Sequence, residues 1–139
     1  MINACFWDGI LQSLTTDDYK FIKYNKNIKK NKVPQIELIN ILKSKNILPS
    51  NVTWNSEKIR EQEQKEHYTA IKEYDVKSII KGYLCSTCDS FLLLLSQLFE
   101  VNIEHRYLGI LIKYTNIKNS RKTLCFSSNK GHFKHVKNK

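Results

Sequence analysis

Two residues far apart in the sequence have the side chains of a nucleophile and its base, Cys5 and His132. A thiolate attacks carbonyl carbons, and an imidazole takes up its proton and later returns it to the leaving group. Apolar residues at helical spacing predict a helix from Cys5 to Leu14, with the cysteine in its first turn. Unpaired N–H groups at a helix start favour a negatively charged sulfur and can hold an oxyanion. The alternative is a small buried cysteine, since this residue type is common in protein cores.

The segment around His132 is predicted to be the last strand of the chain. The preceding Asn-Lys-Gly at residues 129–131 is typical of a turn, and a strand over residues 132–136 follows. In such a strand His132 lies on one face, and Phe133 and His135 lie on the other. A histidine at a strand end can reach the start of a helix that packs on the same sheet. The alternative is a surface histidine in a basic tail.

Helical patterns come first along the chain, and short β-type runs follow them. This order, with strands that lean towards antiparallel pairing, predicts an α+β domain. The most hydrophobic helix is apolar nearly all round and is expected to run through the centre of the core. No linker or repeat is visible, so residues 1–139 are predicted to be one domain. The predicted helices are 5–14, 35–45, 57–73, 75–80 and 90–99, and the predicted strands are 101–103, 109–114, 123–127 and 132–136.

Composition and charge narrow the classes of protein to which the chain can belong. The 139 residues carry a formal net charge of +10, which favours acidic or anionic partners. The longest apolar run, Phe91 to Leu95, is too short for a membrane span, which needs about 20 residues. Residues 1–20 lack the pattern of a secretory signal, so we expect the four cysteines to be reduced thiols in a cytoplasmic protein. For a viral protein or a bacterial effector, that compartment is the host cytoplasm.

Several segments resemble the ovarian-tumour (OTU) family of cysteine proteases. Residues 3–11, Asn-Ala-Cys-Phe-Trp-Asp-Gly-Ile-Leu, look like its nucleophile segment, in which a cysteine followed by aromatic residues opens the central helix. Residues 131–133, Gly-His-Phe, resemble its closing strand, where an aromatic residue follows the base histidine. Residues 74–80, Gly82 and residues 89–103 are similar to its lid helix, glycine-containing turn, long core helix and first strand. The resemblance implies a papain-like fold, with an N-terminal nucleophile helix and a helical lid packed on a small, mostly antiparallel β-sheet.

The resemblance also implies an activity, the hydrolysis of peptide or isopeptide bonds to ubiquitin or a ubiquitin-like modifier. Cys5 would attack the carbonyl, and His132 would accept its proton and later give it to the leaving lysine amine. The family needs no metal or cofactor, so none is expected. Because Cys5 lies so close to the first residue, the chain is compatible with a domain excised from a longer polyprotein or effector. Its own precursor is then a second candidate substrate.

The third catalytic residue is left open by two departures from the family pattern. OTU enzymes commonly carry Asp-Gly where this chain has Ile2 and Asn3, and they often carry Asn or Asp where it has Lys134. A lysine cannot accept a hydrogen bond from an imidazole. Asn3 is the first candidate for this role, and Asp8 and Asn129 are weaker ones. A simple Cys–His pair and an inactive, OTU-like scaffold are the remaining alternatives.

Two aromatic residues next to the catalytic pair are candidates for substrate binding. In an OTU-type enzyme Trp7 and Phe133 would line the groove that takes the narrow C-terminal tail of the modifier. The alternative for Trp7 is a place in the core, because a large aromatic side chain on a helix usually packs inward.

A zinc site is a rival interpretation of the cysteines and histidines. Cys85 and Cys88 form a C-x-x-C pair, and His132 and His135 supply two more possible ligands. The histidine spacing is one residue tighter than that of a Cys2His2 site, and on a strand the two rings point to opposite faces. We therefore predict no metal site.

A basic module that binds nucleic acid is the second rival. Aromatic side chains interleave with lysines near the first cluster, as base stacking requires, although no recognisable nucleic-acid-binding motif is present. The lysines are Lys20, Lys23, Lys26, Lys29, Lys30 and Lys32 in the first cluster and Lys130, Lys134, Lys137 and Lys139 in the tail, and the aromatic residues are Tyr19, Phe21 and Tyr24.

Overall fold

Five helices and a six-stranded sheet make up the part of the chain that the structure, a computed structural model, describes. It describes residues 5–24, 34–77, 88–129 and 132–139. The helices are α1 (Cys5–Ser13), α2 (Thr16–Phe21), α3 (Pro34–Ser44), α4 (Glu61–Lys72) and α5 (Cys88–Phe99), and the strands are β1 (Val52–Trp54), β2 (Glu57–Lys58), β3 (Asn102–Tyr107), β4 (Ile110–Asn116), β5 (Thr123–Ser128) and β6 (Phe133–Asn138).

The sheet is mixed and mostly antiparallel, with the strand order β2-β1-β4-β3-β5-β6. Its one parallel pair among the described strands is β3 with β5, and the other neighbours are antiparallel. The predicted α+β class and the antiparallel tendency of the sheet are therefore confirmed. The strand β6, which carries the residues after His132, lies at one edge of the sheet.

The core is built around α5, as the sequence predicts. Residues 91–95 of this helix are buried on all sides, and Phe99 and Val101 continue the buried run into the sheet. Each fully buried side chain of this kind stabilises the fold by about 1.5–3 kcal/mol. The helix is fastened to the sheet at its start, where the Tyr114 hydroxyl donates to Asp89 at 2.6 Å. It is also fastened near its end, where the Asn116 amide donates to the backbone oxygen of Ser96 at 2.9 Å.

The helices cover one face of the sheet, which we call the helix-covered face. Strand alternation places Ile103, Tyr114 and Phe126 on this face, and all three are buried. The opposite side carries Arg106, Lys113 and their neighbours, and no helix in the described ranges lies against it. We call this side the open face. A sheet with one covered and one solvated side is typical of antiparallel architecture.

The helix α1 packs on β6 at very close range. A Cβ atom added to Gly9 would lie 2.8 Å from a ring carbon of Phe133 and 3.4 Å from the backbone nitrogen of His135. At the start of both elements Phe6 packs on Phe133. At their ends the Asn138 side-chain amide donates to the Ser13 backbone oxygen. The helix and the strand therefore run in the same direction. Glycine at position 9, unfavourable for a helix in isolation, is explained by this approach.

The predicted helix over residues 57–73 is wrong at its start. Glu57 and Lys58 instead form β2, which pairs with β1, and the helix begins only at Glu61. The turn between the two strands is Asn55-Ser56, in which both residues have positive φ angles of 50° and 70°. Two positive φ values are what a tight two-residue hairpin requires. The predicted helix 75–80, which corresponds to the lid of the OTU resemblance, lies largely outside the described residues.

A buried carboxylate fastens α2 to the far end of the sheet. The Asp18 side chain accepts hydrogen bonds from Arg121 at 2.9 Å and Lys122 at 2.6 Å, and it also closes the capping box with Thr15. Burial alone acts to raise the pKa of Asp18, but the hydrogen bonds from Lys122, the Thr15 backbone and Arg121 together lower it. The fold therefore stabilises the charged carboxylate of Asp18.

Candidate active site at the start of α1 and β6

Cys5 and His132 lie at the same end of the packed helix–strand pair. Cys5 immediately precedes Phe6 and His132 immediately precedes Phe133, and the rings of Phe6 and Phe133 are in contact, with centroids 4.8 Å apart. Since α1 and β6 run in the same direction, the first residue of the helix lies beside the first residues of the strand.

The nucleophile candidate is partly accessible, and the base candidate is exposed. Cys5 is a free, partly buried thiol in the first turn of α1, where unpaired helix N–H groups favour negative charge. The described hydrogen bonds of His132 are made by its backbone, so its ring is not bonded to the thiol. The alternation of β6 has Phe133 facing α1 and Lys134 exposed. His132 is exposed and lies one residue before the strand.

Asn129 holds the backbone of His132 in place. The Asn129 side-chain oxygen accepts from the His132 amide at 3.0 Å, and the Asn129 amide donates to the His132 carbonyl at 2.9 Å. Among the described candidates for the third catalytic residue, Asn129 is therefore the one that contacts His132, and it does so at the His132 backbone. Asn3, the first candidate, lies outside the described residues. Asp8 instead accepts from the Gln35 side chain at 2.7 Å, which ties α1 to α3.

The second histidine of the tail lies towards the other end of α1. The His135 ring bonds the Asn138 side-chain oxygen at 2.7 Å, and the same Asn138 donates to Ser13, the last residue of the helix. The two histidines therefore differ in their surroundings. His132 precedes Phe133, which packs on Phe6, and His135 is bonded to Asn138, which contacts the end of α1. The predicted alternation of Phe133 and His135 against Lys134 is confirmed by their burial pattern.

The two aromatic residues predicted to bind substrate have different surroundings. Trp7 is 0% exposed, and its indole packs edge-on against Phe6 and Phe91 and donates to the Tyr74 hydroxyl at 3.4 Å. A substrate tail cannot contact this ring without displacing its neighbours, so the burial favours the core interpretation. Phe133 is partly exposed and contacts Phe6, so it forms part of the wall beside Cys5 and His132.

His105 is a residue of this region that the sequence analysis did not single out. It is buried in β3, its Nε2 lies 2.5 Å from the Ser128 hydroxyl, and its ring meets Phe133 edge-on at 5.3 Å. Its Nδ1 is buried without a hydrogen-bond partner among the described residues. Burial lowers the pKa of His105, and the charge of Asp89 opposes this shift only in part. The sequence signal that could have identified His105 is a histidine at a core-facing position of an alternating strand.

The burial of His105 predicts a loss of stability in mild acid. Because its pKa is lowered in the fold, the unfolded chain binds the proton more readily, and stability falls as the pH drops below about 6.5. Each pKa unit of difference contributes up to about 1.4 kcal/mol. We expect urea midpoints measured at pH 7.5 and pH 5 to differ less for His105→Gln than for the wild type. The burial of His67 also lowers its pKa, and it accounts for the difference in midpoint that remains in the variant. An equal decrease of the urea midpoint in His105→Gln and in the wild type would show that His105 is not the cause of the acid sensitivity.

The zinc site, and base stacking by the first basic cluster, find little support in the described residues. Within the ranges that the structure describes, no group of three or more potential ligands could hold a metal ion. Cys85 and the side chain of Cys88 lie outside them. In the first basic cluster, the Tyr24 hydroxyl bonds Glu37, and the Phe21 ring is covered by the Arg121 guanidinium at 4.2 Å. These rings are therefore engaged within the fold, and Lys26, Lys29, Lys30 and Lys32 lie outside the described residues.

In the described ranges no helix combines the length and the apolar character that a membrane crossing needs. No family model, no curated protein and no solved structure matches the chain.

Proposed function

We propose that the chain is a cysteine hydrolase of the OTU type that cleaves the bond between a lysine amine and the C-terminus of ubiquitin or a ubiquitin-like protein. The observation that carries the proposal is the contact between Phe6 and Phe133. It brings the start of a helix, with a free thiol in its first turn, next to a strand that begins just after a histidine.

The reaction uses Cys5 as nucleophile and His132 as general base and acid. The sulfur forms a bond to the carbonyl carbon, and the lysine amine leaves with the proton held by His132. Water then attacks the thioester, His132 takes its proton, and the carboxylate is released with the thiol restored. The N–H groups at the start of α1 are suited to stabilise the oxyanion of both steps, because they have no partner within the helix.

The proposed reaction requires a hydrogen bond between His132 and Cys5 when substrate is bound. Hydrogen bonds between catalytic groups are often long or poorly aligned without substrate and tighten in the complex. The backbone of His132 is held by Asn129, and the proposal requires its ring to approach the Cys5 sulfur. Asn129 is therefore a positioning residue in this proposal.

A protein substrate is supported by apolar surface at the same end of the sheet. The hairpin between β3 and β4 exposes Tyr107, Leu108 and Ile110, with 37%, 54% and 66% of their surfaces accessible. Tyr107 pairs with Ser128, and Ser128 pairs with Phe133, so this hairpin lies two strands from the candidate site. Adjacent exposed apolar side chains of this kind mark interaction sites more often than isolated ones do.

The proposal is tested with a panel of ubiquitin and ubiquitin-like proteins that carry a thiol-reactive group at the C-terminus. We expect one or more of these probes to form a covalent adduct, and peptide mass spectrometry to locate it on Cys5. Cys5→Ala is expected to abolish the adduct. Cys125→Ala is the matched control and is expected to retain it, because Cys125 is buried and burial raises the pKa of its thiol.

Two outcomes would overturn this assignment. The first is labelling at Cys85, Cys88 or Cys125 in place of Cys5. The second is a folded protein that no probe labels. If such a protein still binds a ubiquitin-like protein reversibly, the inactive OTU-like scaffold is the better description.

A further inference from the structure

The open face of the sheet is strongly basic. Strand pairing brings six cations to this side, whereas Glu104 is its single carboxylate among the described residues, and Glu104 is already paired with Lys139 at 3.0 Å. The hydroxyl residues between the cations are partly exposed. The cations are Lys58, Arg106, Lys113, Lys134, Lys137 and Lys139, and the hydroxyl residues are Thr53, Thr115, Thr123 and Ser127.

We propose that the open face binds the phosphodiester backbone of single-stranded nucleic acid, without regard to base sequence. The proposal does not depend on the hydrolase activity, because Cys5 lies on α1, on the covered side of the sheet. Lysine and arginine neutralise phosphates, and hydroxyl side chains donate to phosphate oxygens. Both kinds of group are present on this surface.

The composition of the face favours nucleic acid over an acidic protein. The centre of a protein interface is rich in aromatic residues and poor in lysine, whereas interfaces with nucleic acid are polar and positively charged. Here the apolar side chains are few, with Leu111 half-buried in the middle and Val136 exposed at the edge. The open face carries no aromatic platform in the described residues, so binding through base stacking is not expected.

The layout of the cations favours a flexible strand over a rigid duplex. Arg106 lies opposite Ser127, which lies opposite Lys134, so these two cations are separated by two strand spacings, about 10 Å. Lys113 lies opposite Glu104 and Lys137 opposite Cys125, one row further along the sheet. A flexible chain can follow cations spread over a flat surface, whereas a rigid duplex would touch such a surface along a short arc.

Protection of the sheet edge does not explain the whole pattern. Lysines on an edge strand prevent pairing with other chains, and Lys134 and Lys137 on β6 fit that role. Arg106 on β3 and Lys113 on β4 are in interior strands, where no edge needs protection. An anionic ligand that covers the whole open face accounts for the cations of the edge strand and for those of the interior strands.

The test is fluorescence anisotropy of a labelled single-stranded oligonucleotide of mixed sequence, measured on the full chain between 50 and 200 mM salt. The triple variant Arg106→Gln, Lys134→Gln, Lys137→Gln is expected to bind more weakly. Each lost phosphate contact lowers the slope of log affinity against log salt by about 0.7, so the slope is expected to fall by about 2. The affinity ratio between the two salt concentrations then shrinks by roughly 20-fold.

The matched control removes the same charge from the helical side of the molecule. Lys65→Gln, Lys72→Gln, Lys77→Gln, all exposed, is expected to keep the affinity and slope of the wild type. Equal losses in both triple variants, or no binding by the wild type at 50 mM salt, would overturn the proposal. So would a loss confined to Lys20→Gln, Lys23→Gln. Binding of an acidic peptide through the open face, with none of the oligonucleotide, would assign the surface to an acidic protein instead.

Discussion

Replacing Cys5 by alanine is expected to reduce isopeptide hydrolysis to the uncatalysed rate, and His132→Ala is expected to reduce it by about 10²–10⁴-fold. In the proposed reaction the Cys5 sulfur forms the bond to the substrate, so no hydrolysis by this route survives its removal. In the same proposal the imidazole of His132 transfers protons in both steps, and its loss leaves the thiol and the helix N–H groups in place. The measurement is release of a fluorophore or lysine peptide from the modifier that the probe panel identifies, followed under single-turnover conditions.

The matched control for this experiment is His135→Ala. His135 lies three residues further along the chain, but its ring is engaged with Asn138 near the end of α1. We therefore expect its rate to stay near that of the wild type. Comparable losses in His132→Ala and His135→Ala, with both proteins folded, would mean that the base has been assigned to the wrong end of the helix–strand pair.

Replacing Asp18 by alanine is expected to destabilise the fold by about 3 kcal/mol, since removing one partner of a buried ion pair costs about 3–5 kcal/mol. The lower end applies because Arg121 and Lys122 are partly exposed and regain water when the carboxylate is gone. For a domain of this size the melting temperature is expected to fall by roughly 10 °C. Thermal unfolding followed by circular dichroism measures the change directly.

Asp17→Ala is the control. Asp17 is the adjacent residue and its carboxylate is exposed, so its loss is expected to lower the free energy of unfolding by less than about 0.5 kcal/mol. The pH dependence has a definite sign. The pKa of Asp18 is lowered in the fold, so its contribution is complete at neutral pH and is lost as the pH falls below about 4. Equal melting temperatures for Asp17→Ala and Asp18→Ala would show that the ion pairs contribute nothing to stability.

Several helices and strands of this fold could be predicted because the spacing of apolar residues within each segment indicates its secondary structure. The core helix was expected over residues 90–99 and spans Cys88–Phe99, and the fifth strand was expected over residues 123–127 and spans Thr123–Ser128. In both, a run of apolar residues is long enough to identify the element without its partners. The same is true of α1, where spacing alone indicates which side faces the core.

The β1–β2 hairpin could not be predicted in this way. Val52–Trp54 is only three residues long, and Glu57 and Lys58 carry charges that are typical of a helix surface. These strands exist because β1 pairs with β4, whose residues lie 60 to 64 positions further along the sequence. The Asn55-Ser56 turn was the one local signal, since asparagine tolerates the positive φ that such a turn needs.

The sequence by itself determined the chemical types at the candidate site, a thiol near the start and a histidine near the end of the chain, and the α+β class. Only the tertiary structure decided which of them lie together. The shared direction of α1 and β6 puts Cys5 at the end where His132 lies and engages His135 at the other. Likewise, strand order brought Arg106 and Lys134 to one basic face. Pairing between distant strands depends on the burial of the whole sheet, and short segments do not carry that information.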